Sequence, residues 1–181
     1  MTDNLHYEGE LVVAIGKDQP VPPGMSSNEN NGKVPGAIMS SEDAMSIVFG
    51  YAIACDLTRR DLQKQSKDRR HPWDTSKSFE DSCPCSAIVS HKDELPPQSK
   101  LTTYVDDDRR QEALLSDMTW SVPEIIMHLS KYYRLRSGDL ILTGTPAGVG
   151  ALNVGNTVKI RVMEDSNDII PPCEFQIGDK A

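Results

Sequence analysis

Two carboxylates stand two residues apart in Glu8-Gly9-Glu10, directly ahead of the apolar run Leu11–Gly16. In an extended chain such residues point to the same face, about 6.5 Å apart along the strand. Ionised carboxylates that close repel one another, and a hard divalent cation relieves the repulsion. On spacing alone the pair also fits a solvent-facing strand edge. A third carboxylate, Asp56, belongs to the segment Tyr51–Leu57, where Tyr51, Ile53, Cys55 and Leu57 alternate with Ala52, Ala54 and Asp56. The second of those faces carries only small side chains before its acid, which leaves room beside Asp56 for a ligand. Three carboxylates without His or Cys would suit Mg2+ or Mn2+ rather than Zn2+.

Arg60 and Gln63 follow Asp56 at a spacing of three, so on a helix they share a face and can reach one ligand together. A guanidinium beside a metal-bound acid is what a carboxylate substrate needs. The same stretch, with Asp61, Lys64 and Lys67, also fits an ordinary charged helix surface. Lys77 sits between Trp73 and Phe79, as a ligand-facing ammonium or as a lysine whose stem lies along apolar surface. Thr143-Gly144-Thr145-Pro146 ends an apolar run and can present a hydroxyl and backbone N–H groups to an anion, although it lacks the lysine of a nucleotide loop. His6 alternates with Glu8 and reads as a partner or an exposed residue. His71, His91 and His128 read as structural. Cys55, Cys83, Cys85 and Cys173 have neither finger-like nor disulfide-framework spacing. They read as free thiols in a reducing compartment, with a thiol nucleophile beside a His as a minor alternative.

The elements that must position these groups follow from composition and patterning. The 181 residues are 38% hydrophobic and 25% charged, the balance of one globular domain with its own core. A net charge of −8 argues against nucleic acid and against anionic membrane surfaces as partners, and it favours cation binding. No run approaches the length of a membrane span and the first residues do not form a signal peptide, so a cytoplasmic protein is expected.

Leu11–Gly16 reads as a buried strand. The Pro-, Gly-, Ser- and Asn-rich segment 17–37 has almost nothing to bury and predicts a flexible surface loop. Ser40, three residues ahead of Asp43, starts a helix expected to end near Gly50, where the Tyr51–Leu57 strand begins. Thr58-x-x-Asp61 predicts a capping box for a helix from Arg59 to about Lys67. An irregular segment spans Ser78–Val89. Leu101–Val105 and Arg109–Ala113 predict a hairpin turning at Asp106-Asp107-Asp108. Ser121-x-x-Glu124 caps a helix expected to run to Gly138, and strands follow at Leu140–Thr143 and Val158–Met163. Short strands, few helices and no βαβ repetition predict an α+β fold built on sheet.

Four stretches together resemble the fumarylacetoacetate hydrolase family, in its fumarylpyruvate hydrolase and acylpyruvase branch. They are LHYEGELVVAIG (5–16), GYAIACDLTRRDLQ (50–63), HPWDTSKSFEDSCP (71–84) and SDMTWSVPEIIMHLSKYYRLRSGDLILTGTPAGVG (116–150). The resemblance implies a mixed β-roll, a single catalytic domain over 1–181, and a homodimer. It implies Mg2+ or Mn2+ on Glu8, Glu10 and Asp56, with a 2-oxo-acid substrate held by Arg60, Gln63, Lys77 and Thr145. It further implies hydrolysis of a C–C bond of an acylpyruvate, most closely fumarylpyruvate to fumarate and pyruvate, with Lys77 catalytic. Oxaloacetate decarboxylation, which shares the metal-enolate chemistry, is the alternative enzyme, and a shortened non-catalytic binder of metal and 2-oxo acid is another class.

Two departures from the family accompany the match. Family members carry a lid before E-x-E whose His–Glu pair activates water, and only seven residues precede Glu8 here. The Pro- and Asn-rich insertion around 20–37 also lengthens a connection that is usually short.

Overall fold

The structure is a computed structural model that describes residues 2–20 and 36–178. In chain order the elements are β1 (Leu5–Tyr7), β2 (Gly9–Ile15), α1 (Ser41–Ser46), β3 (Val48–Cys55), β4 (Thr58–Arg59), α2 (Arg60–Arg69), α3 (Asp74–Lys77), β5 (Val89–Ser90), β6 (Lys100–Val105) and β7 (Asp108–Leu114). After a 3-10 turn at Leu115–Asp117 come α4 (Val122–Leu129), β8 (Leu140–Leu142), β9 (Gly150–Leu152), β10 (Thr157–Glu164), β11 (Asn167–Asp168) and β12 (Cys173–Gln176). The α+β architecture expected from the sequence is the one observed. No helix among the described residues is long and apolar enough to cross a membrane.

Among the described residues three antiparallel sheets carry the fold: β5-β3-β2-β8, β4-β1-β9, and β11-β10-β6-β7 with β12 also on β10. Alternation along β2 and β3 divides their side chains between two faces. Leu11, Val13 and Ile15, with Tyr51, Ile53 and Cys55, join Leu101, Val105, Val158, Ile160 and Val162 in the main core between sheets. Val12, Ala52 and Ala54 form a small second cluster on the opposite face with Leu142. That second face is the one Glu10 shares, and its small residues keep it narrow.

Several elements differ from expectation for identifiable reasons. The helix expected to run to Gly50 ends at Ser46, because Gly50 belongs to β3. A Cβ there would collide with the Val89 carbonyl oxygen of β5, so this glycine serves close strand approach rather than a helix stop. Gly50→Ala is therefore expected to cost about 1–3 kcal/mol of stability through overpacking, measured by urea unfolding. An unchanged midpoint would contradict the Gly50–Ser90 pairing.

The Thr58–Asp61 capping box does not form. Thr58 enters β4 opposite His6, its hydroxyl donates to the Asp56 carbonyl (3.1 Å), and Asp61 instead accepts from the Thr2 hydroxyl and the Asp3 N–H. The following helix runs Arg60–Arg69 without a side-chain cap. The helix expected to reach Gly138 stops at Leu129. Beyond it the chain must turn back to bury Leu135, whose N–H donates to Gln19 Oε1 (3.2 Å).

Of the flexible loop expected at 17–37, residues 21–35 lie outside the described residues, and only its two ends are described. Gln19 is only 1% exposed, and its Nε2 donates to the Gly36 and Ser130 carbonyls (2.9 and 3.2 Å), clipping the two ends of the segment together. The hairpin forms as expected. Asp106 and Asp107 both take positive φ (51° and 42°), the conformation of a two-residue type I′ turn, which aspartate tolerates better than most residues.

Candidate active site

The β2–β3 ladder brings the three acids together. Gly9 lies opposite Cys55 and Glu10 opposite Ala54, and the Asp56 N–H donates to the Glu8 carbonyl at 2.9 Å. One oxygen from each of Glu8, Glu10 and Asp56 then lies within 4.8 Å of the others. Glu8 and Glu10 are 9% and 4% exposed, so the solvent-facing strand edge is excluded. The glycine between them is required by packing: a Cβ on Gly9 would collide with Thr103 Oγ1 of β6 and press on Ile160 of β10.

Lys77 closes the gap between two of the acids. Its Nζ donates to Glu8 Oε2 (2.7 Å) and Asp56 Oδ2 (2.5 Å). The short helix α3 aims it there, with Ser76 buried beneath and donating to the Trp73 carbonyl (2.6 Å). The neighbouring aromatic rings stack on other cations, Phe79 under the Arg59 guanidinium (4.0 Å) and Trp73 under the Lys67 ammonium (4.7 Å). Arg60 donates from one guanidinium nitrogen to Glu8 Oε1 (2.7 Å) and from another to Gln63 Oε1 (2.8 Å), so the i, i+3 pair converges on the same centre. Thr145 lies one step away. Its hydroxyl donates to the Gly9 carbonyl (2.9 Å), and the N–H of the preceding Gly144 donates to Glu10 Oε2 (2.6 Å).

The three carboxyls are not equivalent. Burial pushes Glu10 up to about 7, and the charges of Asp56 and Glu8 add to this against the Gly144 hydrogen bond and Lys77. Burial also acts on Glu8, yet hydrogen bonds and charge from Lys77 and Arg60 outweigh it and hold Glu8 below its ordinary value. Asp56 is raised, by burial first, with the Lys77 contact offsetting only part. Burial works against the Lys77 ammonium, but its bonds to Asp56 and Glu8 more than compensate, so it is raised and stays charged. An all-oxygen triad that already draws an ammonium between two of its members fits a hard divalent cation such as Mg2+ or Mn2+.

All four cysteines are free, Cys55 and Cys173 buried and Cys83 and Cys85 exposed, and desolvation raises each thiol, Cys173 to about 12, which disfavours the nucleophilic thiolate. His6 bonds the Asn4 side chain through Nε2 (2.8 Å), while His128 packs against Trp120 and Tyr132 on α4. The backbone N–H groups expected from the Gly144 loop do meet an anion, the Glu10 carboxylate, while sequence reasoning missed Gln111, which lies in β7 and contacts Gly9 and Thr145. Gly144 takes φ 97°, the left-handed region that glycine enters without strain, and its place in the glycine-rich loop was the available signal.

Comparison with known proteins gives the family. The profile of the fumarylacetoacetate hydrolase C-terminal domain matches residues 1–177. The chain belongs to the fumarylacetoacetate hydrolase family. A fumarylpyruvate hydrolase from Ralstonia sp is 40% identical over 161 residues, covering 89% of this chain and 75% of the relative. The mitochondrial oxaloacetate tautomerase of Mus musculus is 39% identical over 158 residues, 86% of this chain but only 63% of its own length. Among solved structures, the fumarylpyruvate hydrolase of Pseudomonas aeruginosa in complex with Mn2+ and pyruvate superposes with a TM-score of 0.83 at 31% identity, covering 99% of this chain and 68% of that one. The family thus includes both hydrolases and tautomerases at similar distance from this chain.

Proposed function

We propose that this member of the family holds Mg2+ or Mn2+ on Glu8, Glu10 and Asp56 and hydrolyses an acylpyruvate, with fumarylpyruvate as the substrate and fumarate and pyruvate as products. The convergence of the three carboxylates within 4.8 Å, with Lys77 bonded to two of them, is the observation that carries the reading. The fumarylpyruvate hydrolases among its relatives support the choice of substrate.

A bound divalent cation supplies Lewis-acid polarisation of the 2-oxo-acid oxygens. The remaining work falls to the chain's own residues. Arg60, beside Gln63, orients the substrate carboxylate by paired donors. In the reaction a water oxygen bonds to the acyl carbon, and the bond from that carbon to the methylene breaks. The electron pair passes to the pyruvate fragment as an enolate, the methylene carbon takes a proton, and the acyl fragment leaves as a carboxylate with release of one proton. Lys77 places a fixed positive charge where the enolate develops, and in a half-buried site such a charge acts more strongly than in water. Thr145, on its glycine-bounded loop, lines the same centre as a substrate contact. A homodimer and a cytoplasmic location belong to the same proposal, the latter supported by the four free cysteines.

A second reading has its own support. The oxaloacetate tautomerases are as similar as the hydrolases, and enol–keto interconversion needs the same enolate stabilisation but no attacking water. It replaces the decarboxylation considered from the sequence as the oxaloacetate chemistry to test. Two assays separate the readings, pyruvate release from fumarylpyruvate and decay of enol-oxaloacetate absorbance, each with Mn2+ and with EDTA, for the wild type and Asp56→Ala, whose Mn2+ binding is titrated alongside. Metal-dependent pyruvate release that Asp56→Ala abolishes is expected. Absorbance decay without pyruvate release would transfer the assignment to the tautomerase, and undiminished metal binding by Asp56→Ala would overturn the carboxylate site.

A further inference from the structure

Gln111 is 1% exposed, and no step above uses it. Its carboxamide offers one acceptor oxygen and two N–H donors, and all three are engaged. Oε1 accepts from the Gly9 N–H (3.2 Å), while Nε2 donates to Thr145 Oγ1 (2.8 Å) and to the Pro146 carbonyl (2.9 Å). The Thr145 hydroxyl returns its proton to the Gly9 carbonyl (2.9 Å), which closes a ring through Gly9, Gln111 and Thr145. The amide orientation follows from this network, since the flipped carboxamide would set N–H against the Gly9 N–H and oxygen against the Pro146 carbonyl.

The ring joins separate elements. Gly9 is the residue between Glu8 and Glu10 on β2, whereas Gln111 stands on β7 in a different sheet. Thr145 and Pro146 follow Gly144, the donor to Glu10 Oε2. The β6–β7 ladder shifts register beside it: Thr103 faces Gln111 but Tyr104 faces Arg109, so Arg110 is the extra residue of a bulge. Bulges re-aim neighbouring side chains, and here the neighbour is Gln111. Gly148 completes the fit, because a Cβ there would collide with the Arg110 carbonyl and push the loop off β7.

We propose that Gln111 is a positioning residue for the cation centre: it pins the Glu8–Glu10 backbone and the 144–146 loop to one another, and it sets the direction of the Thr145 hydroxyl. The proposal rests on the reading of Glu8, Glu10 and Asp56 as cation ligands. Loss of the carboxamide leaves the Gly9 N–H and the Pro146 carbonyl without partners, frees Thr145 to rotate, and loosens the loop that carries the Gly144 donor.

The test measures Mn2+ affinity by electron paramagnetic resonance of free Mn2+, and amide exchange at Gly9 in EDTA. The proteins are the full-length wild type, Gln111→Met, Thr145→Val, the double variant, and Val158→Ala as a core control. Gln111→Met is expected to weaken Mn2+ binding about 10- to 100-fold, as loss of an outer-shell partner does. The double variant should lose little more than Gln111→Met alone, because the two residues act in one ring. Val158→Ala should lose stability without a comparable loss of affinity. Gly9 exchange should quicken about tenfold or more in Gln111→Met.

Wild-type Mn2+ affinity in Gln111→Met, equal losses in Gln111→Met and Val158→Ala, or full additivity with Thr145→Val would overturn the positioning role. If the wild type itself binds no Mn2+, the cation reading fails, and the Gly9 exchange then decides the clamp on its own. Should Gln111→Met not fold, Gln111→Glu retains the acceptor for Gly9 but not the two donors. It should keep Gly9 protected while Thr145→Val adds little to its loss of affinity, and loss of Gly9 protection in that variant would contradict the ring.

Discussion

Glu10→Gln yields a protein that is more stable without metal than the wild type and nearly unable to bind it. Glu10 is buried with two other acids within 4.8 Å, and burial followed by those charges pushes its carboxyl up to about 7 from the ordinary 4.5. In EDTA the folded state therefore holds this proton up to about pH 7, while the unfolded chain releases it near 4.5. The folded state binds more protons across that window, so stability falls as pH rises through it and stays lower above. A glutamine keeps the oxygen that accepts the Gly144 N–H and carries no charge, which removes the slope. The expected gain at pH 8 is on the order of 1–3 kcal/mol, read as a urea midpoint in EDTA, with little difference at pH 4. Mn2+ affinity should fall more than about 100-fold, beyond what loss of a mere outer partner causes. An unchanged pH slope would show that Glu10 is not the destabilising acid, and near-normal Mn2+ binding would show that it is not a ligand.

Lys77→Met should separate substrate binding from metal binding. The ammonium bonds Glu8 and Asp56 at 2.7 and 2.5 Å, so it neutralises them when no cation is present and stands close to one that binds. Without it, Mn2+ affinity is expected to hold or to rise, because one positive charge has left the cation's neighbourhood. Oxalate, a mimic of the pyruvate enolate, should bind the Mn2+-loaded variant about 10- to 100-fold more weakly, the size of effect that a charged hydrogen bond of about 1.5–3 kcal/mol carries. Titration calorimetry measures both. Unaltered oxalate affinity would return Lys77 to a purely structural part in the apo site. A collapse of Mn2+ binding would make it a scaffold for the carboxylates rather than a substrate contact.

Three acids crowd the paired ends of β2 and β3, and Lys77 and Arg60 bond directly to Glu8 and Asp56 but not to Glu10, whose carboxyl is the one pushed furthest up. This is also why the Gly144 N–H matters, since among the described residues it is the hydrogen bond that steadies the Glu10 carboxylate. The glycine-rich loop thus braces the Glu10 carboxylate through the Gly144 N–H, and the Thr145 hydroxyl donates to the Gly9 carbonyl beside it.

How far the sequence reached can be judged from particular elements. Local alternation on β3 was legible because the strand is long and its two faces are of opposite size, so Ala52, Ala54 and Asp56 could be assigned to one side. The Asp106-Asp107 turn and the Ser40 cap were legible because each depends on a few adjacent residues. Gly50 and Thr58 misled for the converse reason. A glycine that admits β5 and a threonine drawn into pairing with His6 carry the same local signals as a helix stop and a helix cap, and distant partners decide between the two. Short strands such as β4, β5 and β11 left no periodic trace at two residues each.

By itself the sequence determined which residue types were available for chemistry, the α+β class and the membership of a family, because carboxylate spacing, strand alternation and glycine punctuation are local properties of the chain. Only the tertiary structure decided that Glu8, Glu10 and Asp56 share one center of charge, that Lys77 turns from its aromatic neighbours to them, and that Gln111 ties the glutamates to the glycine loop. Those relations span tens of residues along the chain and depend on ladder register and sheet-on-sheet packing, in which a shift of one residue would turn each of these side chains to the opposite face.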